Sequence, residues 1–151
     1  PTSVNYIDTN QILLDIEQSR NENLDALIAN VHWGIEYQTK PNKFQKKITD
    51  FLFRNGVNII IGGHPHVLQK VEWDKEKDQL VAYSLGNFVS NQASVNTDGG
   101  MMLEIELEKK KKHLSNYFQK FEFHSISKHI CTTGKQNKYI TSENKAKVEA
   151  S

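Results

Sequence analysis

The chain has 151 residues, 37% of them hydrophobic and 25% charged, which is the size of one domain with enough apolar material to bury a core. Nineteen basic side chains against eighteen acidic ones leave a net charge of +1, so a nucleic-acid polyanion is not an expected partner. No apolar run is long enough for a transmembrane helix, no basic-then-apolar start resembles a signal peptide, and the single cysteine, Cys131, excludes an intramolecular disulfide or a Cys-based zinc cluster.

Residues 9–20 place Ile12, Leu13 and Ile16 at helical spacing, with Asp8, Thr9 or Asn10 available as N-cap. Leu24 to Trp33 then forms an apolar run stopped by Gly34; its length and its glycine stop favour a buried strand over a helix. Phe44, Ile48, Phe51, Leu52 and Asn55 predict an amphipathic helix over 42–55, with Pro41 at its start and Gly56 just past its end. The run Val57-Asn58-Ile59-Ile60-Ile61 before Gly62-Gly63 predicts a second strand. Strand, helix and strand with short connections make a βαβ unit, whose two strands are expected to be parallel, adjacent and covered on both faces.

The texture changes after residue 66. Val67 to Trp73 and Leu80 to Ser84 flank a polar turn, which predicts a hairpin. A Gly-, Asn- and Ser-bearing loop spans Leu85 to Gly100. Residues 101–108 alternate Leu103, Ile105 and Leu107 with glutamates, the pattern of a half-exposed strand. Lys109–Lys112 is expected to be a solvated turn, and Tyr117 to Ile126 another strand. The expected fold class is therefore α/β, a βαβ unit followed by a mainly antiparallel β region over residues 1–126, with 127–151 as a polar, partly disordered tail.

Three histidines stand where an open α/β sheet binds ligands, outside the carboxyl ends of parallel strands. His32 ends the first predicted strand, and His64 and His66 follow the second. Neutral imidazole is a common transition-metal ligand. Gly62 and Gly63 permit a sharp turn, and Pro65 restrains itself and the residue before it, so a stiff loop presents both imidazoles. Glu36 and Tyr37 lie close behind His32; a carboxylate there can ligate metal, orient an imidazole or face water. Asn87 is placed to offer its amide to a substrate oxygen or to close an Asx-turn. No phosphate-cradling glycine loop and no G-x-S-x-G elbow is present.

The segments His32-Trp33-Gly34-Ile35-Glu36-Tyr37, Gly63-His64-Pro65-His66-Val67-Leu68-Gln69 and Tyr83-Ser84-Leu85-Gly86-Asn87-Phe88, in this order, resemble the successive signatures of the bacterial CapA family of poly-γ-glutamate capsule proteins, relatives of calcineurin-like metallophosphoesterases. The resemblance covers about residues 4–126. It implies part of a metallophosphatase-like α/β/β/α sandwich with a two-metal centre of Mn, Fe or Zn. His32 resembles the lone histidine ligand, and His64 and His66 the pair of the G-H-x-H loop. Glu36, Tyr37 and Asn87 become substrate-contacting or ligand-orienting residues. The superfamily's Asp-x-His, Gly-Asp and Gly-Asn-His motifs, which would precede His32, have no counterpart among the 31 residues before it. The chain therefore resembles the C-terminal half of such a protein. The expectation is weak or absent metal loading and little activity in these residues alone, and self-association through elements that the missing N-terminal half would cover. The implied function is metal-activated hydrolysis of a phosphoester or amide in capsule biosynthesis, at the cell envelope or outside the cell. The alternative is a non-catalytic module that handles or exports an anionic polymer such as poly-γ-glutamate through its lysines.

Overall fold

The computed structural model describes residues 6–22, 24–110 and 120–132, and for 108–110 and 120–132 the backbone only. Helix α1 spans Thr9–Arg20 and is capped by Asp8, whose carboxylate accepts from the Asn10 and Gln11 amides. Strand β1 is Ile28–His32, helix α2 Lys43–Arg54 and strand β2 Ile59–Gly63. Asn42 caps α2 in a reciprocal box with Gln45: each side chain takes a hydrogen bond from the other's backbone N–H, satisfying donors that a helix start leaves open. Gly56, at φ +96°, ends the helix as expected from its position.

β1 and β2 pair in parallel from Ile28↔Ile59 to His32↔Gly63, with α2 as the crossover. The predicted hairpin is β3, Val71–Asp74, and β4, Gln79–Ala82, paired antiparallel. β4 also runs parallel to β2, giving the order β1-β2-β4-β3. β5, Gly99–Lys110, and β6, Lys120–Thr132, form a separate antiparallel pair with a register shift between Ile105 and Leu107.

The period-2 alternation of the strands divides the core into two layers. Ile60, Val81 and Tyr83 face the helices and meet Ile16, Ile48, Leu52, Val57 and Trp33. Ile59 and Leu80 face the other way, against Ile61, Trp73, Leu103 and Ile105. Each such side chain removed from water contributes about 1.5–3 kcal/mol before entropy is counted.

Four expectations are corrected. Gly62 and Gly63 make no sharp turn but extend β2, paired with Val31 and His32. The first strand does not begin at residue 24; the backbone N–H of Leu27 donates to the Asn58 side chain, and pairing starts at Ile28. Nor is β1 covered on both faces. It ends the sheet among the described residues; Ala29 and Val31 pack towards the helices, while Ile28 is 55% exposed because Leu103 and Ile105 of β5 pack on Ile59 and Leu80 instead. Finally, Lys109 and Lys110 belong to β5, and β6 continues to Thr132, six residues past the expected boundary, because its pairing with β5 persists to Gly99↔Thr132. Lys111, Lys112 and residues 133–151 lie outside the described residues.

Candidate metal centre

The carboxyl ends of β1 and β2 form the rim, and backbone contacts bring three loops together there. The Trp33 N–H donates to Gly63 O (3.1 Å) and the Tyr37 N–H to Pro65 O (2.8 Å), tying the segment after β1 to the His64-Pro65-His66 loop. The Leu85 N–H donates to Gly62 O and the Gln69 N–H to Ser84 O, bringing the segment after β4 alongside. Gly62 makes this approach possible. A Cβ there would lie 2.2 Å from Tyr83 O and 2.4 Å from Trp33 Nε1.

The loop itself is held by burial. Pro65 and Val67 are fully buried, while His64 and His66 alternate with them and stay partly exposed. His64 has φ +100° and His66 φ +60°, and Tyr37 across from them has φ +66°. Non-glycine residues rarely adopt such backbone, and it clusters at functional sites. His64, the residue before Pro65, lies outside the right-handed helical region as expected, but at positive φ instead of in the extended backbone that a following proline favours.

These turns bring the imidazoles close. The His32 and His64 ring centroids are 4.6 Å apart, and those of His64 and His66 6.1 Å. The Tyr37 ring lies 6.2 Å from that of His66. Glu36 Oε1 is 3.7 Å from His66 Nε2. One donor atom each from Glu36, His64 and His66 lies within 4.8 Å of the others. Donors to one ion at about 2.2 Å can stand no more than about 4.4 Å apart, so this set fits a single divalent ion after a small closing movement. Two imidazole nitrogens and a carboxylate oxygen suit Zn, Mn or Fe. His32 lies beside this trio as a ring neighbour of His64.

Asn87 is engaged within the fold at both ends of its amide. Its Oδ1 is 3.1 Å from His66 Nδ1, and its Nδ2 donates to Gln92 Oε1 (2.8 Å) and Thr97 O (3.1 Å). Two buried glutamines also support the rim. Gln45 Nε2 donates to Gln69 Oε1 (2.8 Å), and Gln69 Nε2 donates to Gln38 O (2.7 Å). The first turn of α2 is thereby fastened to the chain on both sides of the histidines. The spacing Asn42-x-x-Gln45 signals a capping box; nothing local signals Gln69, Gln92 or Thr97. Below the rim, burial pushes the Tyr83 phenol up to about 12, with the nearby Glu72 carboxylate adding to the shift. A cleft of about 290 Å³ lined by Ile16, Arg20, Leu24 and Asn58 lies at the opposite, amino ends of the strands.

Comparison with known proteins places these residues in a family. The model of "Bacterial capsule synthesis protein PGA_cap" matches residues 1–92, a span that includes His32, Glu36, His64, His66 and Asn87. The chain is 39% identical over 85 residues to the capsule biosynthesis protein CapA of Bacillus anthracis, covering 56% of this chain and 20% of that protein. It is 31% identical over 99 residues to the PGA biosynthesis protein CapA of Bacillus subtilis (strain 168), covering 66% of this chain and 26% of that one. The matches thus span about a fifth to a quarter of the length of these curated relatives. With a family match over more than half its length and the rim residues inside it, the chain belongs to the bacterial capsule synthesis family PGA_cap.

Proposed function

We propose that Glu36, His64 and His66 hold one divalent metal ion, as part of a hydrolytic site that serves capsule polymer biosynthesis at the bacterial cell envelope. The observation that carries this reading is the convergence within 4.8 Å of the Glu36 carboxylate, from the segment after β1, and the His64 and His66 imidazoles, both held in left-handed backbone after β2. Such an ion supplies Lewis-acid activation of a phosphoester or amide and of water. In this chain, Glu36 and the two imidazoles bind the ion, the missing side chain of Gly62 at the end of β2 lets the surrounding segments approach, and Asn87 orients His66. His32 is available to the same site or to a neighbouring one.

Calorimetric titration of the chain with Zn²⁺ or Mn²⁺ tests the reading. One equivalent is expected to bind weakly, since further carboxylate ligands have no counterpart before His32, with affinity falling at least about tenfold in His66→Ala and in Glu36→Gln while the fold is retained. Absence of binding, or binding indifferent to both substitutions, would overturn it. Because the carboxylate motifs of the superfamily have no counterpart before His32, these residues alone are expected to hydrolyse a generic phosphodiester poorly, with or without Mn²⁺. Robust turnover that disappears in His66→Ala would show the site to be self-sufficient.

A second reading, polymer handling without catalysis, is favoured by Lys40, Lys43, Lys46 and Lys47. All four are exposed around the start of α2, on the side of the sheet where β1 delivers the chain to the rim. Salt-sensitive retention of poly-γ-glutamate, lost when the four are replaced by glutamine and unaffected by chelation, would support it.

A further inference from the structure

We propose that Asn87 is the positioning residue of His66, fixing the imidazole in its Nδ1–H tautomer so that Nε2 presents its lone pair to the space between the Glu36 and His64 donor atoms. The donors and acceptors around the Asn87 amide fix its orientation. Thr97 O is a carbonyl and can only accept, so the Asn87 group facing it, at 3.1 Å, is the amide NH₂. The same NH₂ donates to Gln92 Oε1 at 2.8 Å. The other end of the amide, Oδ1, therefore faces His66 Nδ1, at 3.1 Å. An amide oxygen only accepts, so Nδ1 carries the proton and the neutral ring keeps its lone pair on Nε2, the nitrogen 3.7 Å from Glu36 Oε1.

The amide cannot easily turn over, because its surroundings are fixed. The Asn87 N–H donates to Gly99 O (3.0 Å), and the preceding Gly86 is bridged antiparallel to Gly100. Thr97 is 1% exposed, and its hydroxyl and amide both bond Ser94 O, which closes the turn that presents its own carbonyl. A free imidazole favours the opposite, Nε2–H form, so the arrangement has a cost that the loop offsets. The inference deepens the metal reading and rests on it for the use made of Nε2; the tautomer itself stands without any metal.

Long-range ¹H–¹⁵N correlation spectra of the labelled, metal-free chain, at a pH where the ring is neutral, test it. His66 is expected to show a protonated Nδ1 and an unprotonated Nε2. Asn87→Leu, which removes the acceptor, is expected to return His66 towards the Nε2–H form. Asn87→Asp, which keeps an acceptor, is expected to retain Nδ1–H. The His64 pattern should be the same in all three proteins. Zn²⁺ affinity is expected to fall about 10–100-fold in Asn87→Leu and only a few-fold in Asn87→Asp. An Nε2–H tautomer in the unsubstituted chain would overturn the proposal, and that measurement needs no variant to fold. An unchanged tautomer in a folded Asn87→Leu would overturn it as well. The expected tautomers together with no Zn²⁺ binding would uphold the positioning and sink the metal reading alone.

Discussion

Two adjacent glycines differ in what they must do. At Gly62 a methyl group would meet backbone oxygen and the Trp33 indole well inside contact distance, whereas at Gly63 it would meet nothing within 4 Å. Gly62→Ala is therefore expected to destabilise the fold by about 1–3 kcal/mol or more, as overpacking does, and Gly63→Ala to change the urea midpoint little. Equal midpoints for the two variants would contradict the close approach of Tyr83 and Trp33 to Gly62 at the end of β2. Tyr83 gives a pH test at the same scale. Its phenol is pushed up to about 12 by burial and by Glu72, so the folded state keeps its proton after the unfolded chain has begun to lose one near 10. Stability is complete below pH 10 and falls as the pH rises from 10 towards 12. Tyr83→Phe should weaken that alkaline loss, measured as urea midpoints across the range. The sequence shows the double glycine and the histidine pair directly. It does not show which glycine is indispensable, because the atoms that decide it belong to Trp33 and Tyr83, 29 residues before and 21 after in the chain.

Elements were legible where their periodicity is local. The 3.6-residue pattern of α2, its Asn42 cap and the β-branched run of β2 all carry their signals within a dozen residues. What lay hidden is how α2 is fastened. Gln45 is fully buried, and its side chain accepts from the Asn42 N–H and donates to Gln69. Gln45→Leu would leave the Gln69 oxygen and the Asn42 amide without these partners. A loss of about 1–3 kcal/mol is expected, together with faster amide exchange at Tyr37, whose bond to Pro65 O holds the rim closed. Unchanged stability and exchange would mean that the glutamine pair does not couple α2 to the histidine loop. The strand ends escaped prediction for a related reason. β6 reaches Thr132 through polar residues because its register with β5 is set across the pair, by contacts that no window of β6 contains.

At the level of the molecule, the βαβ unit, the hairpin and the separate β5–β6 pair follow the expected α/β class, but the standing of β1 as a terminal strand does not follow from its composition. Its apolar run reads like a buried central strand; the family resemblance instead points to a bared edge beside the 26–33 or 57–61 strands, and the strand order puts that edge at β1 among the described residues. Such an edge offers unpaired backbone groups to another chain. Ile28 and Leu24, 55% and 54% exposed, lie beside it. Concentration-dependent self-association is expected in sedimentation, and Ile28→Lys should reduce it without lowering the unfolding midpoint. A strictly monomeric chain over a wide concentration range would show the edge to be protected. The candidate site follows the same division. His64 and His66 are neighbours in the chain and could be paired on paper, whereas the hold of Asn87 on His66 exists only because β4 returns beside β2.

The left-handed backbone at His64 and His66 has a consequence for how this protein would respond to selection for heat resistance. Each such residue costs on the order of 1–3 kcal/mol, and glycine would occupy the same φ without that cost, giving back part of the gain as chain entropy in the unfolded state. His64→Gly is thus expected to hold or raise the melting temperature while removing an imidazole from the rim. A thermostability screen would then enrich the very substitutions that dismantle the proposed metal site, and residues the fold tolerates only under strain would be the first that laboratory evolution discards.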